Sequence, residues 1–260
     1  MDFGPPTREP ALSIAPAGTR RFDLSRRSRH EEVLDGPEVS PEDYARCVRE
    51  LAAANRATLA HAPTLAWLGR VTAAHPRPAR PVSILDVGCG HGDLLRSIGR
   101  WARSRGLPVS LRGLDLNPRS ATAARAATPA MLDVTFQTGD VFTHRPSPRP
   151  DFIVCSQFAH HLDDDRLVAL LRWLEEHAAR GWHVCDLERH PVALHAFPLL
   201  CRLARWHAIV REDGVVSVAR SFRRAEWLAL LRQAEVRGEL RAHFPFRMSV
   251  SGGLEGGHGR

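Results

Sequence analysis

The chain of 260 residues contains no lysine: all 36 basic residues are arginine, against 29 acids, leaving a formal net charge of +7. A positive balance of that size normally points to phosphate-rich partners. Here the arginine accompanies abundant alanine, glycine and proline, which reads as a bias of the coding sequence that spreads charge along the chain instead of gathering it into a stripe. Dense clusters occur at Arg26-Arg27-Ser28-Arg29 and Arg223-Arg224, and a solvated surface explains them. Cysteine is also sparse. Cys47, Cys89, Cys155, Cys185 and Cys201 make no C-x-x-C pair, which excludes a zinc ribbon or a disulfide framework and suits a reducing, cytoplasmic setting. Residues 1–30 hold no apolar run of signal-peptide length, and no stretch of about 18 uncharged apolar residues offers a membrane span. No integral membrane association is expected.

What is present is a strand that runs into a glycine-rich turn and a helix, Ile84-Leu85-Asp86-Val87-Gly88-Cys89-Gly90-His91-Gly92-Asp93-Leu94-Leu95. Glycines at alternate positions let the backbone turn tightly and approach a ligand with no Cβ in the way. A pyrophosphate-binding turn uses similar glycines, but Asp86 stands where an anion would be repelled. About one βαβ unit later Leu111-Arg112-Gly113-Leu114-Asp115 ends a second strand in an acid, where a ribose diol needs an acceptor.

These segments resemble the class I S-adenosylmethionine-dependent methyltransferases, whose motifs fall in the same order between residues 80 and 250. The resemblance implies a cofactor site of Asp86, Gly88, Cys89, Gly90 and Gly92, with Asp115 and Leu116 at the ribose. In Val134-Thr135-Phe136-Gln137-Thr138-Gly139-Asp140-Val141, it implies that Asp140 and Val141 receive the adenine. Asp151-Phe152-Ile153-Val154-Cys155-Ser156-Gln157-Phe158-Ala159-His160-His161 is similar to the strand and loop that carry the substrate-side chemistry, which adds Ser156 and Gln157 to the cofactor set. The family fold is a doubly wound, mostly parallel seven-stranded α/β sheet whose last strand is inserted antiparallel, and the product of the cofactor is S-adenosylhomocysteine.

The residue patterns organise the chain in the same way. Residues 1–40, rich in Pro, Arg and Ser without periodicity, read as an arm or loosely packed lead. Residues 41–79 read as an N-terminal helical cap, started by Ser40-Pro41-Glu42-Asp43 and ended by the proline run at 76–81. Residues 80–250 form the core: strands near 82–87, 109–115, 133–138, 151–156 and 182–187 alternate with helices near 92–105, 118–127 and 164–179. A helix over 223–235 and an antiparallel pair over 240–243 and 246–250 close it, and residues 251–260 are a flexible tail. Within the core, 187–222 is an inserted cap. Its segment 192–210 places Leu199, Leu203, Trp206 and Val210 on one helical face, which suits packing on the core, a lid over an apolar substrate, or docking on a membrane surface.

Methyl transfer to a neutral phenol is helped by a base, and His160 and His161 follow the fourth strand at its carboxyl end, where ligands of open α/β sheets sit. Adjacent loop side chains diverge, so one of the two faces the acceptor. The resemblance to quinone-pathway O-methyltransferases favours His161 over His160; a cap or packing role is the alternative. Phe158, Trp206, Asp213 and Arg220 are candidates for the substrate pocket, with an ion pair inside the cap as the other reading of the last two. The run Asp163-Asp164-Asp165 reads as a helix cap, and no metal is expected. The chain has neither the Asn/Asp-Pro-Pro-Tyr/Phe segment of many N-methyltransferases nor a Pro-Cys nucleophile for cytosine. The expected activity is therefore methylation of a small, apolar aromatic or phenolic metabolite on oxygen, in bacterial secondary metabolism, by a monomer or homodimer without a nucleic-acid partner. An RNA-directed methyltransferase and a catalytically silent S-adenosylmethionine-binding protein are the alternatives, and a nicotinamide oxidoreductase ranks below them.

Overall fold

The computed structural model describes residues 22–73 and 79–253. Seven strands form one sheet in the order β3-β2-β1-β4-β5-β7-β6: β1 (Val82–Val87), β2 (Val109–Asp115), β3 (Val134–Thr138), β4 (Phe152–Ser156), β5 (Gly181–Leu187), β6 (Glu239–His243) and β7 (Arg247–Gly252). The first five are parallel, and β7 inserts antiparallel between β5 and β6. The doubly wound sheet expected from the alternating pattern is the one observed.

Each element starts where local chemistry allows. Helix α1 (Pro41–Ala57) begins with Pro41 at its first position and with the Ser40 hydroxyl accepting from the Asp43 N–H, so an orphan donor is satisfied and proline costs no bond. Helix α2 (Ala62–Ala73) follows. In α3 (Asp93–Ser104), Leu94, Leu95, Ile98, Trp101 and Ala102 recur at helical spacing and are all buried. The side chain of Asn117 caps α4 (Pro118–Ala127), and that of Asp163 caps α5 (Asp164–His177), as the acidic run there suggested. Helix α8 (Arg224–Ala234) and the β6–β7 pair complete the core.

Two apolar layers cover the sheet. One packs Leu167, Leu170, Leu171 and Leu174 of α5 with Trp227, Leu230 and Leu231 of α8 against Ile153 and Val184. The other packs α2 and α3, through Trp67, Leu68, Leu95 and Ile98, against Ile84, Phe152 and Val154. With both faces covered, the sheet leaves its carboxyl edge, at the reversal of strand order between β1 and β4, as the place where loops diverge. No helix among the described residues is long and apolar enough to cross a membrane.

Two regions differ from the sequence reading. Residues 22–40 are no loose arm: they lie on the core as a strap, with one 3-10 turn at Val33–Asp35. Their Val33 and Leu34 N–H groups donate to Asp213 at 2.7 and 2.9 Å. Arg27, expected in solvent, instead lies over the Phe222 ring at 3.6 Å and donates to the carbonyls of Arg220, His160 and Leu162. The helix expected over 192–210 is broken into α6 (Pro191–Leu203) and α7 (Ala208–Arg220). The break sits at Arg205, whose φ of 56° is left-handed. Its expected inward face therefore divides: Val210 is buried and Trp206 half-buried, but Leu199 and Leu203 are exposed, at 56% and 75%. Residues 1–21, much of the proline run at 74–78, and the tail from 254 lie outside the described residues.

Candidate active site

Beyond the carboxyl ends of β1, β2 and β4 opens a cavity of about 930 Å³. The loop after β1 lines it with Gly88, Cys89, Gly90 and His91, the end of β2 with Asp115, Leu116 and Asn117, and the turn after β3 with Asp140, Val141 and Phe142. Ser156, Gln157 and Phe158 after β4 form a further wall. The strap supplies Glu32, Leu34, Asp35 and Pro37, and α1 supplies Tyr44, Val48, Leu51 and Asn55.

The glycines divide by role. Gly90, at φ +51°, has nothing within 4 Å of where a Cβ would stand, so its face is open to a ligand. A Cβ at Gly92 would run into the Phe136 ring, and one at Gly88 into Phe158, so these two serve close packing of loop on sheet. Gly92 does not line the cavity. Asp115 accepts from the Gly90 N–H at 2.8 Å and the Asn117 N–H at 2.9 Å; burial raises its pKa, against those two bonds. Asp140 accepts from the Phe142 N–H at 3.0 Å.

Asp86 lies beneath the loop rather than in the cavity wall, 2% exposed. Among the described residues it has no hydrogen bond, and burial, then Asp93 and Asp115, push its pKa well above the carboxylate range. Asp93 is held ionised, against its burial, by His61 at 3.1 Å and the Asn55 amide at 2.8 Å. Three acids gathered at one loop, one of them without a partner, suit a cationic ligand and oppose a pyrophosphate.

A further part of the cavity wall is built around the histidine pair. His160 is buried, with Nδ1 2.7 Å from Asp186 and its backbone N–H donating to the same carboxylate at 2.9 Å. Its Nε2 lies 3.3 Å from Glu32. Burial alone would lower the pKa of His160, but Asp186 and then Glu32 outweigh it and raise it to about 10, so this imidazole already carries a proton at neutral pH. Burial likewise opposes ionisation of Glu32, yet His161 and His160 bring it down to about 2. His161 is more open, a quarter exposed, with Nδ1 3.1 Å from Asp35 and Nε2 3.8 Å from Glu32. Both histidines line the cavity.

Asp213 and Arg220 do not reach the cavity and do not pair with each other. Asp213 holds the strap, and burial, then Glu32, raises its pKa to about 7. Arg220 donates to the carbonyls of His160, His161 and His30 at 3.0, 2.9 and 2.8 Å, which ties the histidine loop to the strap. Trp206 packs with Val39, Tyr44, Val48 and Ile209, away from the cavity. Sequence reasoning missed Glu32, Asp35, Asn55, His61 and Asp186. Only Asp186, an acid closing the fifth strand, carried a signal comparable to that of Asp115.

Residues 84–182 match the family model described as a methyltransferase domain. No curated protein matches the sequence. Among solved structures, the plantazolicin methyltransferase BpumL in complex with SAH is 14% identical, with a TM-score of 0.59 over 82% of this chain and 91% of that one. The plantazolicin methyltransferase BamL, in complex with a triazolic desmethylPZN analog and SAH, is 16% identical, with a TM-score of 0.57 over 78% of this chain and 73% of that one. Magnesium protoporphyrin IX methyltransferase from Synechocystis PCC 6803, with bound SAH, is 15% identical, with a TM-score of 0.51 over 76% and 83%.

Proposed function

We propose that this chain is an S-adenosylmethionine-dependent methyltransferase that methylates a small, apolar aromatic or phenolic acceptor on oxygen. The observation that carries the reading is the pairing, in one cavity, of an open glycine loop and the carboxylates of Asp115 and Asp140 with the histidine pair His160 and His161. The solved methyltransferases described above, each with bound SAH, agree with the cofactor assignment.

Each residue set has a task. The open face of Gly90 admits a nucleoside against the backbone, Asp115 offers its carboxylate to the ribose diol, and Asp140 stands at the adenine end. Asp93, held ionised, sets a negative field for the methionine end, and Asp86 beneath the loop joins it when a cationic ligand favours its ionisation. When bound, the cofactor supplies an electrophilic methyl on a sulfonium. The protein's contribution is to hold an acceptor oxygen in line, exclude water and manage one proton; positioning alone supplies much of the acceleration. Leu34, Val48, Leu51, Leu162 and Leu187 give the cavity apolar wall for a flat acceptor. His161, part exposed and lining the cavity, is the group placed to take a phenolic proton at Nε2, while Asp35 orients its Nδ1. His160 carries its proton already and serves to position.

The RNA-directed alternative draws no support from the charge. Arg96, Arg189 and Arg247 are buried, and Arg27 and Arg220 direct their guanidinium groups at internal carbonyls. A labelled-methyl assay comparing simple phenols with total RNA tests the reading: label on phenols is the expected result, and RNA as the far better acceptor overturns it. Label on neither, with S-adenosylhomocysteine still bound, favours the silent binding protein.

A further inference from the structure

We propose that Glu32, His160 and His161 form a binding site for one divalent first-row transition ion, open to the cavity. This rests on the reading above and deepens it, because it assigns what receives the acceptor oxygen.

The geometry is that of a ligand set oriented from behind. One side-chain donor atom from each of the three residues lies within 4.8 Å of the others. The two imidazoles present Nε2 to the same carboxylate, at 3.3 Å for His160 and 3.8 Å for His161. Ligands about 2.1 Å from a shared ion at tetrahedral or octahedral angles stand about 3.0–3.4 Å apart. The His160–Glu32 pair already meets that spacing, and His161, 3.8 Å from Glu32 and a quarter exposed, has to close on it by ring rotation.

Behind each imidazole, Nδ1 faces a second carboxylate: Asp186 at 2.7 Å for His160 and Asp35 at 3.1 Å for His161. A metal-bound histidine commonly has this arrangement, in which the carboxylate fixes the tautomer and leaves Nε2 as the free donor. To find it twice, with both Nε2 atoms aimed at one shared carboxylate, is more than ion pairing requires. The backbone is fixed as well, since Arg220 and Arg27 hold the carbonyls of the histidine pair and Ser217 donates to Glu32 at 2.8 Å. Three carboxylates, those of Glu32, Asp35 and Asp186, stand against the two imidazoles.

Two imidazoles and one carboxylate suit zinc, iron(II) or cobalt(II), with the remaining coordination positions facing the cavity. In the loaded form the ion lowers the pKa of an oxygen acceptor bound to it and His161 is a ligand; in the metal-free form His161 is the base.

The test is a titration of the chelator-stripped full chain with Co²⁺ alone, followed by visible absorption and calorimetry. One ion per chain is expected, bound at least about 100-fold more weakly by Glu32→Gln and by His161→Ala. Asp35→Asn, which keeps all three ligands, should weaken binding about 10–100-fold. Each variant is checked for a cooperative melt and for S-adenosylhomocysteine binding, so that misfolding is separated from ligand loss. Absence of stoichiometric cobalt binding, or binding that ignores all three substitutions, overturns the site. If S-adenosylhomocysteine binds and cobalt does not, the metal site alone falls; if cobalt binds and S-adenosylhomocysteine does not, the methyltransferase reading falls and the metal site stands.

Discussion

The Gly90 N–H donates to the Asp115 carboxylate at 2.8 Å, so the loop after β1 and the acid that ends β2 are fixed as one unit. The bond leaves the Cβ side of Gly90 open, and with the other oxygen accepting from the Asn117 N–H, a diol would take the remaining lone pairs of the carboxylate. Gly90→Val should therefore abolish S-adenosylhomocysteine binding in calorimetry, both by filling the approach and by straining a backbone at φ +51°. Asp115→Ala should weaken binding by roughly 1.5–3 kcal/mol, the range of a hydrogen bond to a charged group. Unmodified protein should not bind NAD, because the acids around the loop repel a pyrophosphate. Tight NAD binding without a response to S-adenosylhomocysteine would reverse the cofactor assignment.

Replacing His161 should lower turnover on a phenolic acceptor by about 10²–10⁴ while affinity for S-adenosylhomocysteine stays unchanged. The side chain stands on the acceptor side and touches none of the cofactor residues, so its loss belongs to the transition state. Near-normal turnover in His161→Ala, with and without added metal, would make the pair structural and leave proximity and desolvation to do the work.

The βαβ core was legible because its signals are local. Apolar strands, Asp163 before α5, and Ser40 with Pro41 before α1 each announce themselves within a few residues. The cavity wall made by Gly90, Asp115 and Asp140 was legible for the same reason, since Asp115 ends β2 and the other two follow β1 and β3 within three residues. The strap was not. Its contacts are two backbone N–H groups on Asp213, one guanidinium over Phe222 and one carboxylate between two histidines, and none of these has a period or a motif. The break between α6 and α7 was hidden because Arg205 occupies a left-handed position that usually carries glycine, so the helical spacing of 192–210 ran on without a stop signal.

The exposed faces that follow from that break can be checked directly. Leu203 is 75% exposed near the end of α6, so Leu203→Arg should change stability by no more than about 0.5 kcal/mol in urea melts. Cys201, two residues earlier and fully buried, should not tolerate the same change. Equal tolerance at the two positions would mean that α6 packs in another register.

Arg220 connects the strap to the histidine loop through three carbonyls, from one side chain. Arg220→Met retains much of the stem and removes those bonds, so it should loosen the strap and the histidine pair together. Expected are faster proteolysis within residues 22–40 and a fall in turnover, with S-adenosylhomocysteine affinity changed little because the loop at Gly90 is held elsewhere. If turnover falls while proteolysis within the strap stays as in the parent protein, strap and loop are not coupled through this residue.

Acid sensitivity should trace in part to His183, on the side of the sheet away from the catalytic pole. Its ring stacks on Trp67 at 5.0 Å, its Nδ1 meets the Ser251 hydroxyl at 2.8 Å, and its Nε2 is buried without a partner. Burial, then His243 and Arg70, lower its pKa to about 3, whereas in the unfolded chain it titrates near about 6.5. Between those values the unfolded state binds a proton that the folded state refuses, so stability rises with pH across the window and is lost as pH falls through it. His183→Phe keeps an aromatic ring against Trp67 and removes the titrating group; it gives up the Ser251 bond, a cost that does not depend on pH. Urea melts from pH 7 downward should show the variant losing stability less steeply than the parent below about pH 6.5, by up to one proton in the linkage slope. Parallel slopes for the two proteins would mean that His183 is protonated in the fold, and that its unpartnered nitrogen meets water.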